Sequence, residues 1–185
     1  MGIIIFGASG AGSTTLGKEL SKRLNRRYLD IDDYLWRWDT KIPYTVTHLR
    51  EERTMRLMND IQKHPNFVIA GTIFSDRELF HPLLELGVFI TTPAKICAER
   101  VHARELARWG ERVLPGGDMY KANRFHGDFS DYVENAQRYE TADASTFSCK
   151  LHQQWISELT CPVLRLDGTK RIAENADFVI ANCWN

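Results

Sequence analysis

The chain of 185 residues is 43% hydrophobic, enough for one good core, and its 24 basic and 24 acidic side chains cancel. That balance excludes a global pull toward nucleic acid or anionic lipid. Cys97, Cys149, Cys161 and Cys183 lie too far apart for a zinc knuckle or a redox dithiol, and no segment approaches the roughly 18 apolar residues of a membrane helix. These properties suit a soluble cytoplasmic protein in a reducing compartment, with no membrane or nucleic-acid partner expected and the oligomeric state open.

Apolar or β-rich runs recur at Gly2–Phe6, Tyr28–Ile31, Phe67–Ala70, Val88–Thr91 and Val163–Leu166, with helical patterns between them. Leu16, Leu20 and Leu24 form one apolar stripe after the first run. Thr47–Lys63 reads as a helix with Met55, Met58 and Ile61 on one side, ended by His64-Pro65-Asn66. Pro93 opens a helix to about Trp109, and Pro115-Gly116-Gly117-Asp118 is a loop. Helical spacing follows from Tyr120 to Tyr139, and again at Leu151, Trp155 and Leu159. Alternating strands and helices imply an α/β protein whose parallel sheet is covered on both faces. One domain is expected over 1–185, with insertion-like stretches at about 36–65 and 100–139.

Gly7-Ala8-Ser9-Gly10-Ala11-Gly12-Ser13-Thr14 follows the first strand directly. It has the skeleton of the phosphate-cradling loop G-x-x-x-x-G-K-[ST], with Ser13 at the lysine position. A buried strand, a glycine loop and a helix start aim successive N–H groups and the positive end of a helix dipole at one point. Thr14 stands where a hydroxyl ligates the Mg²⁺ of a bound nucleotide. Lys18, five positions beyond Ser13, points elsewhere on the helix. A dinucleotide fingerprint is the rival reading, with Asp30 or Asp32 as the ribose carboxylate, but the spacing is not G-x-G-x-x-G.

Asp30 and Asp32 end the second strand, where alternation puts them on one face at the ligand edge of the sheet. One could hold Mg²⁺ through water or take the proton of an attacking hydroxyl. Trp36, Trp38 and Tyr44 could stack on a flat substrate or simply fill core. Arg100, Arg104 and Arg108 share a helix face, with Arg112 just beyond; their forks match phosphate oxygens, whereas pairing with Glu99, Glu105 and Glu111 would make them a solvated face. Asp167-Gly168-Thr169 forms a loop after the last strand that could contact an adenine or be a plain turn.

With these residues in place the chain resembles the adenylate kinase-like group of P-loop small-molecule and nucleotide kinases. The resemblance rests on Gly7–Thr15; on Tyr28-Leu29-Asp30-Ile31-Asp32-Asp33, similar to the F-x-D-x-D region of shikimate-type kinases; on Val68-Ile69-Ala70-Gly71-Thr72; and on the Arg-x-x-x-Arg and Asp-Gly-Thr segments. The loop and Pro115–Met119 are most similar to a bacterial subgroup whose loops also lack the lysine. This resemblance implies a P-loop NTPase fold with a five-stranded parallel sheet ordered 2-3-1-4-5, a helical lid, and ATP with Mg²⁺. It further implies that Gly7, Ala8, Ser9, Gly10, Ala11, Gly12, Ser13, Thr14, Thr15 and Thr169 bind the nucleotide and Thr14 the metal. Asp30, Asp32, Arg100 and Arg104 would act on the transferred group and a small phosphoryl acceptor. Ser13 and Ala70 depart from the family pattern, in which lysine and often aspartate stand. A catalytically weak nucleotide-binding regulator is the alternative that Ser13 raises.

Overall fold

The structure, a computed structural model, describes residues 1–73 and 75–183. In chain order the elements are β1 (Gly2–Gly7), α1 (Ser13–Leu24), β2 (Arg27–Asp30), α2 (Ile31–Leu35), α3 (Arg50–Lys63), β3 (Phe67–Ala70), α4 (Arg77–Phe80), β4 (Leu84–Thr91), α5 (Ala94–Trp109), α6 (Phe129–Thr141), α7 (Cys149–Glu158), β5 (Val163–Asp167) and α8 (Ile172–Asn182). The strands form one parallel sheet ordered β2-β3-β1-β4-β5, the order the family resemblance implies. Among the described residues no helix is long and apolar enough to cross a membrane.

The central strand shows why both faces are covered. All six residues of β1 are buried, and their side chains alternate. Ile3 and Ile5 pack with Leu16 and Leu20 of α1 and Val179 of α8. Ile4 and Phe6 pack with Leu57 and Ile61 of α3 and Trp155 of α7. Each such side chain, fully removed from water, contributes about 1.5–3 kcal/mol. A smaller third cluster joins Ala98 and Val101 of α5 to Tyr132 of α6 and to Tyr44 and Phe125 from loops.

Three expected boundaries shift, each for a local reason. The helix expected from Tyr120 begins at Phe129, because Asp128 and Asp131 form a reciprocal capping box there. Phe125 and Tyr132 still meet, but across a turn; the Tyr132 hydroxyl donates to the Phe125 carbonyl. The helix expected from Thr47 begins at Arg50, since Thr47 pairs with Trp36 in an antiparallel bridge. Of the expected Met55–Met58–Ile61 stripe, Ile61 is buried beside Leu57 and Met58 packs partly against the same core, but Met55 faces solvent at 59% exposure. Finally, β4 starts four residues before Val88, at Leu84, where its register with β1 is irregular between Gly2 and Ile3.

Candidate active site

Parallel strands carry their carboxyl ends to one edge, so the loops after β1, β2, β3, β4 and β5 gather there. The loop after β1 is the tightest. Gly10 and Gly12 take φ values of 86° and 112°, which L side chains rarely adopt, and a Cβ on Gly10 would run into the Cys97 carbonyl oxygen. Gly12 caps α1 without any side-chain hydrogen bond, and the first turn of α1 has no acidic residue. The leading N–H groups of a twelve-residue helix therefore face the edge without an internal partner. Ala8, Ser9 and Ala11 complete the loop beneath them, with the Ala11 N–H donating to the Ala8 carbonyl at 3.0 Å. Ser13 is half-buried at the helix start, while Thr14 and Thr15 are exposed.

β3 lies between β1 and β2, so Asp30 is not on the strand next to the loop. It is linked to the loop through side chains instead. The Tyr28 hydroxyl donates to Asp30 Oδ2 at 2.7 Å, and Thr14 hydrogen-bonds Tyr28 in turn. Burial, with the Asp30 carboxylate second, holds the Tyr28 phenol far above its ordinary range. The β3 insertion also removes the β1–β2 adjacency on which the dinucleotide reading relies. Lys18 Nζ lies over the Tyr28 ring, 5.7 Å from its centroid.

The expected strand alternation stops at Asp30, which is the N-cap of α2: its Oδ1 accepts from the Asp32 N–H at 3.2 Å. Asp32 thus stands on the first turn of a helix, and the two carboxylates approach through that cap, not through a shared strand face. Asp32 is open to solvent yet crowded by protein on most sides. Desolvation, then the Asp30 charge, pushes its carboxyl up to about 6, against a Trp36 hydrogen bond and the Arg104 and Arg124 charges. The Trp36 indole N–H donates to Asp32 Oδ1 at 3.2 Å. Tyr44 is buried, with Trp36, Trp38 and Phe125 packed around its ring, so packing absorbs it. Trp38 remains 43% exposed.

Along α5 the three arginines divide their contacts. Arg100 donates to the Gly10 and Ala11 carbonyls, both at 3.4 Å, and to the Gly168 carbonyl at 2.9 Å. Its charge therefore braces the glycine loop against the loop after β5. Arg104 donates Nε–H to Glu105 at 2.7 Å and lies in the field of Asp32. Arg108 donates to the Tyr44 hydroxyl at 2.6 Å. Glu105 is not part of a solvated face: it is fully buried and also accepts from the Trp109 indole at 3.1 Å. Arg112 pairs with Asp118 across the Pro-Gly-Gly loop. Thr169 turns inward on its own loop, its N–H and hydroxyl both donating to Asp167 Oδ1.

Two constellations escaped sequence reasoning because their members are far apart in the chain. His152 is fully buried, with Nε2 2.8 Å from the Thr72 hydroxyl and Nδ1 2.7 Å from the Tyr139 hydroxyl. Desolvation brings its imidazole down to about 4, so it is neutral. Thr72 follows β3 at the ligand edge, and the imidazole ties it to α6. The second is Arg124, whose guanidinium lies over the Phe125 and Phe147 rings at 4.7 and 5.4 Å. Phe147 itself stands edge-on to His152, at 5.3 Å between centroids.

A cavity of about 160 Å³ opens between α2, α3 and the segment after β3, lined by Ile31, Tyr34, Arg53, Leu57, Thr72 and Ser75 among others. A wider groove of about 540 Å³ lies at the ends of β4 and β5, between Thr92, Glu140 and Arg165. The groove is the larger; the smaller cavity is bordered by Thr72 and by α2, the helix that carries Asp32. Among the described residues no cluster of three or more His, Cys, Asp or Glu side chains could hold a metal unaided. The donors present are hard oxygens, the exposed Thr14 hydroxyl and the Asp30 and Asp32 carboxylates. That set fits Mg²⁺ arriving on nucleotide phosphates.

Comparison with known proteins agrees with this frame. A family profile described as AAA domain matches residues 3–111. The chain is 33% identical over 178 residues to the uncharacterized protein YqaC of Bacillus subtilis (strain 168), covering 96% of this chain and 94% of that one. Among solved structures it is similar to a deoxyadenosine kinase from M. mycoides with bound dATP, at a TM-score of 0.53, 13% identity and 98% coverage of both chains. It is also similar to a shikimate kinase from Bacteroides thetaiotaomicron, at 0.52, 14% identity and 98% and 96% coverage. A gluconokinase from Sinorhizobium meliloti 1021 gives 0.51, 14% identity and 98% and 90% coverage. The chain belongs to the AAA-domain family and carries the α/β fold of P-loop kinases.

Proposed function

We propose that the protein is a Mg²⁺-ATP-dependent phosphotransferase acting on a small metabolite or nucleotide. The observation that carries this reading is the uncapped start of α1 behind Gly10 and Gly12, with Arg100 held against that loop and Asp30 linked to Thr14 through Tyr28. An anion site joined to a carboxylate and forked cations suits phosphoryl transfer, in which positioning and charge stabilisation do most of the work. The kinase neighbours support the class of reaction through their fold alone.

In this scheme the loop N–H groups, with Ser13 and Thr15, hold the nucleotide phosphates, and Thr169 borders the base. Thr14 and one of Asp30 and Asp32 hold Mg²⁺, which when bound neutralises phosphate charge. Asp32 takes the proton of the acceptor hydroxyl; its raised carboxyl makes it a stronger base than an ordinary aspartate while leaving it ionised at neutral pH. Arg100 keeps the loop in its phosphate-binding shape, and Arg104 faces the transferred group. The acceptor enters the cavity beside α2.

The test is an ADP-release assay with Mg²⁺-ATP against nucleosides, nucleotides, sugars and hydroxy acids. Acceptor-dependent ADP release is expected for at least one class. Tight Mg²⁺-ATP binding with no turnover of any of them would favour the second reading, a nucleotide-dependent regulator, which Ser13 motivates. Ser13→Lys separates the two: a large gain in turnover marks a crippled site, and no gain marks one adapted to serine.

A further inference from the structure

We propose that Arg124 is an oxyanion-binding residue of this cleft, taking a phosphate or carboxylate group that arrives with a substrate. The proposal rests on the phosphotransferase reading and adds to it a residue outside the lid arginines of α5. The argument begins with how the cleft's cations are used. Arg100 is spent on three backbone carbonyls, Arg104 donates to Glu105, Arg108 to Tyr44 and Arg112 to Asp118. The Arg124 guanidinium makes no hydrogen bond and no ion pair with the described residues; its contacts are the Phe125 and Phe147 rings. Its backbone is fixed, since the Arg124 carbonyl accepts from Asn135 Nδ2 at 3.2 Å.

Two aromatic rings orient a guanidinium through its planar faces and leave its N–H edge for something else. That edge lies in the field of Asp32, close enough for each charge to act on the other, without a direct ion pair. Carboxylate partners hold arginines 23, 37, 50 and 112 above the ordinary range; Arg124, exposed as well but with no such partner, lies below it because neighbouring protein crowds its guanidinium. The stacked guanidinium is exposed, so an arriving ligand can reach its free edge, and a forked oxyanion is the ligand that best matches it. Asp32 is near enough to feel the Arg124 charge, so an anionic group held on Arg124 would bring a neighbouring hydroxyl toward the carboxylate that takes its proton.

The oxyanion has two possible sources, the terminal phosphoryl of the nucleotide or an acidic group on the acceptor. Calorimetric titration of the full chain with a non-hydrolysable Mg²⁺-ATP analogue, with Mg²⁺-ADP, and with inorganic phosphate added to ADP-loaded protein distinguishes them. In Arg124→Gln, a loss of at least about tenfold in affinity for the ATP analogue with ADP unchanged supports the first source. The same loss confined to inorganic phosphate supports the second. Arg124→Lys, which keeps the charge and loses the fork, is expected to recover part of either loss. Unchanged ADP affinity in both variants shows that the loop remains folded. If all three probes bind both variants within about threefold of the wild type, the proposal is wrong while the phosphotransferase reading stands. If the wild type binds no nucleotide, the reading itself fails.

Discussion

Acidification should loosen the molecule through His152, and the structure sets both sign and size. The imidazole is fully buried among Phe6, Phe89, Tyr139 and Phe147, with hydroxyls on both nitrogens. Folding therefore depresses its pKa from 6.5 to about 4, so the unfolded chain binds the proton first as pH falls. The neutral imidazole's contribution is intact above about pH 6.5 and is lost progressively toward pH 4. At about 1.4 kcal/mol per pH unit the full interval is worth roughly 3 kcal/mol, of which about 2 kcal/mol is gone by pH 5. Urea unfolding of wild type and His152→Gln at pH 7, 6 and 5 isolates this group, because every other titration is common to both. The variant should be the less stable at pH 7, from weakened bonds to Thr72 and Tyr139, and the gap should close by about 2 kcal/mol at pH 5. Parallel loss of stability in the two proteins over that range would refute the assignment.

Other expectations follow from the site. Asp32→Asn should abolish turnover, and the wild-type kcat/KM should fall below about pH 6, the value to which the Asp32 carboxyl is pushed, as the base becomes protonated; a limb that begins only near pH 4 would remove Asp32 from that role. Arg100→Ala releases three carbonyls of the loops after β1 and β5, proposed to hold the nucleotide, and should weaken Mg²⁺-ATP and Mg²⁺-ADP binding alike, by roughly tenfold in calorimetry. Gly10→Ala should cost more stability than Gly116→Ala. Both glycines have positive φ, worth roughly 1–2 kcal/mol to an L side chain, but only Gly10 also has a backbone carbonyl in the way; urea midpoints compare them.

Much of the fold is legible where one chemistry acts over a short span. The run Ile3-Ile4-Ile5-Phe6 could only be a strand buried on both faces, and the glycines after it could only turn toward a helix start. The strand order is different: apolar runs say that a parallel sheet exists, and the order came from family resemblance. Helical spacing misled at Phe125 and Tyr132, because residues seven apart can meet across a turn as well as along a helix, and the capping box at Asp128 decides where the helix starts. Asp30 shows the same limit. A period of two placed Asp32 on a strand face, but an aspartate that caps its own successor ends the strand.

The missing lysine is where sequence and structure inform each other most. Read alone, Ser13 leaves the loop one charge short, and the arginine face of α5 supplies candidates by spacing. The structure divides that face by function. Arg100 lies against the loop, 4.0 Å from where a Gly12 Cβ would be, but its N–H groups are committed to carbonyl oxygens. It can shape the loop and lend it charge at a distance, yet it cannot grip a phosphate without giving up those bonds. Arg104 is half-committed to Glu105, a pairing the sequence offers only as part of a solvated face and the structure buries. The unspent fork belongs to Arg124, which no spacing rule connects to the helix and which reaches the cleft only because the chain turns back between α5 and α6. Under the proposed function, the charge lost from the loop at Ser13 is distributed over three arginines with different duties. The measurable consequence is that Arg100 and Arg124 variants should differ in kind: the first weakening every nucleotide, the second discriminating among oxyanions.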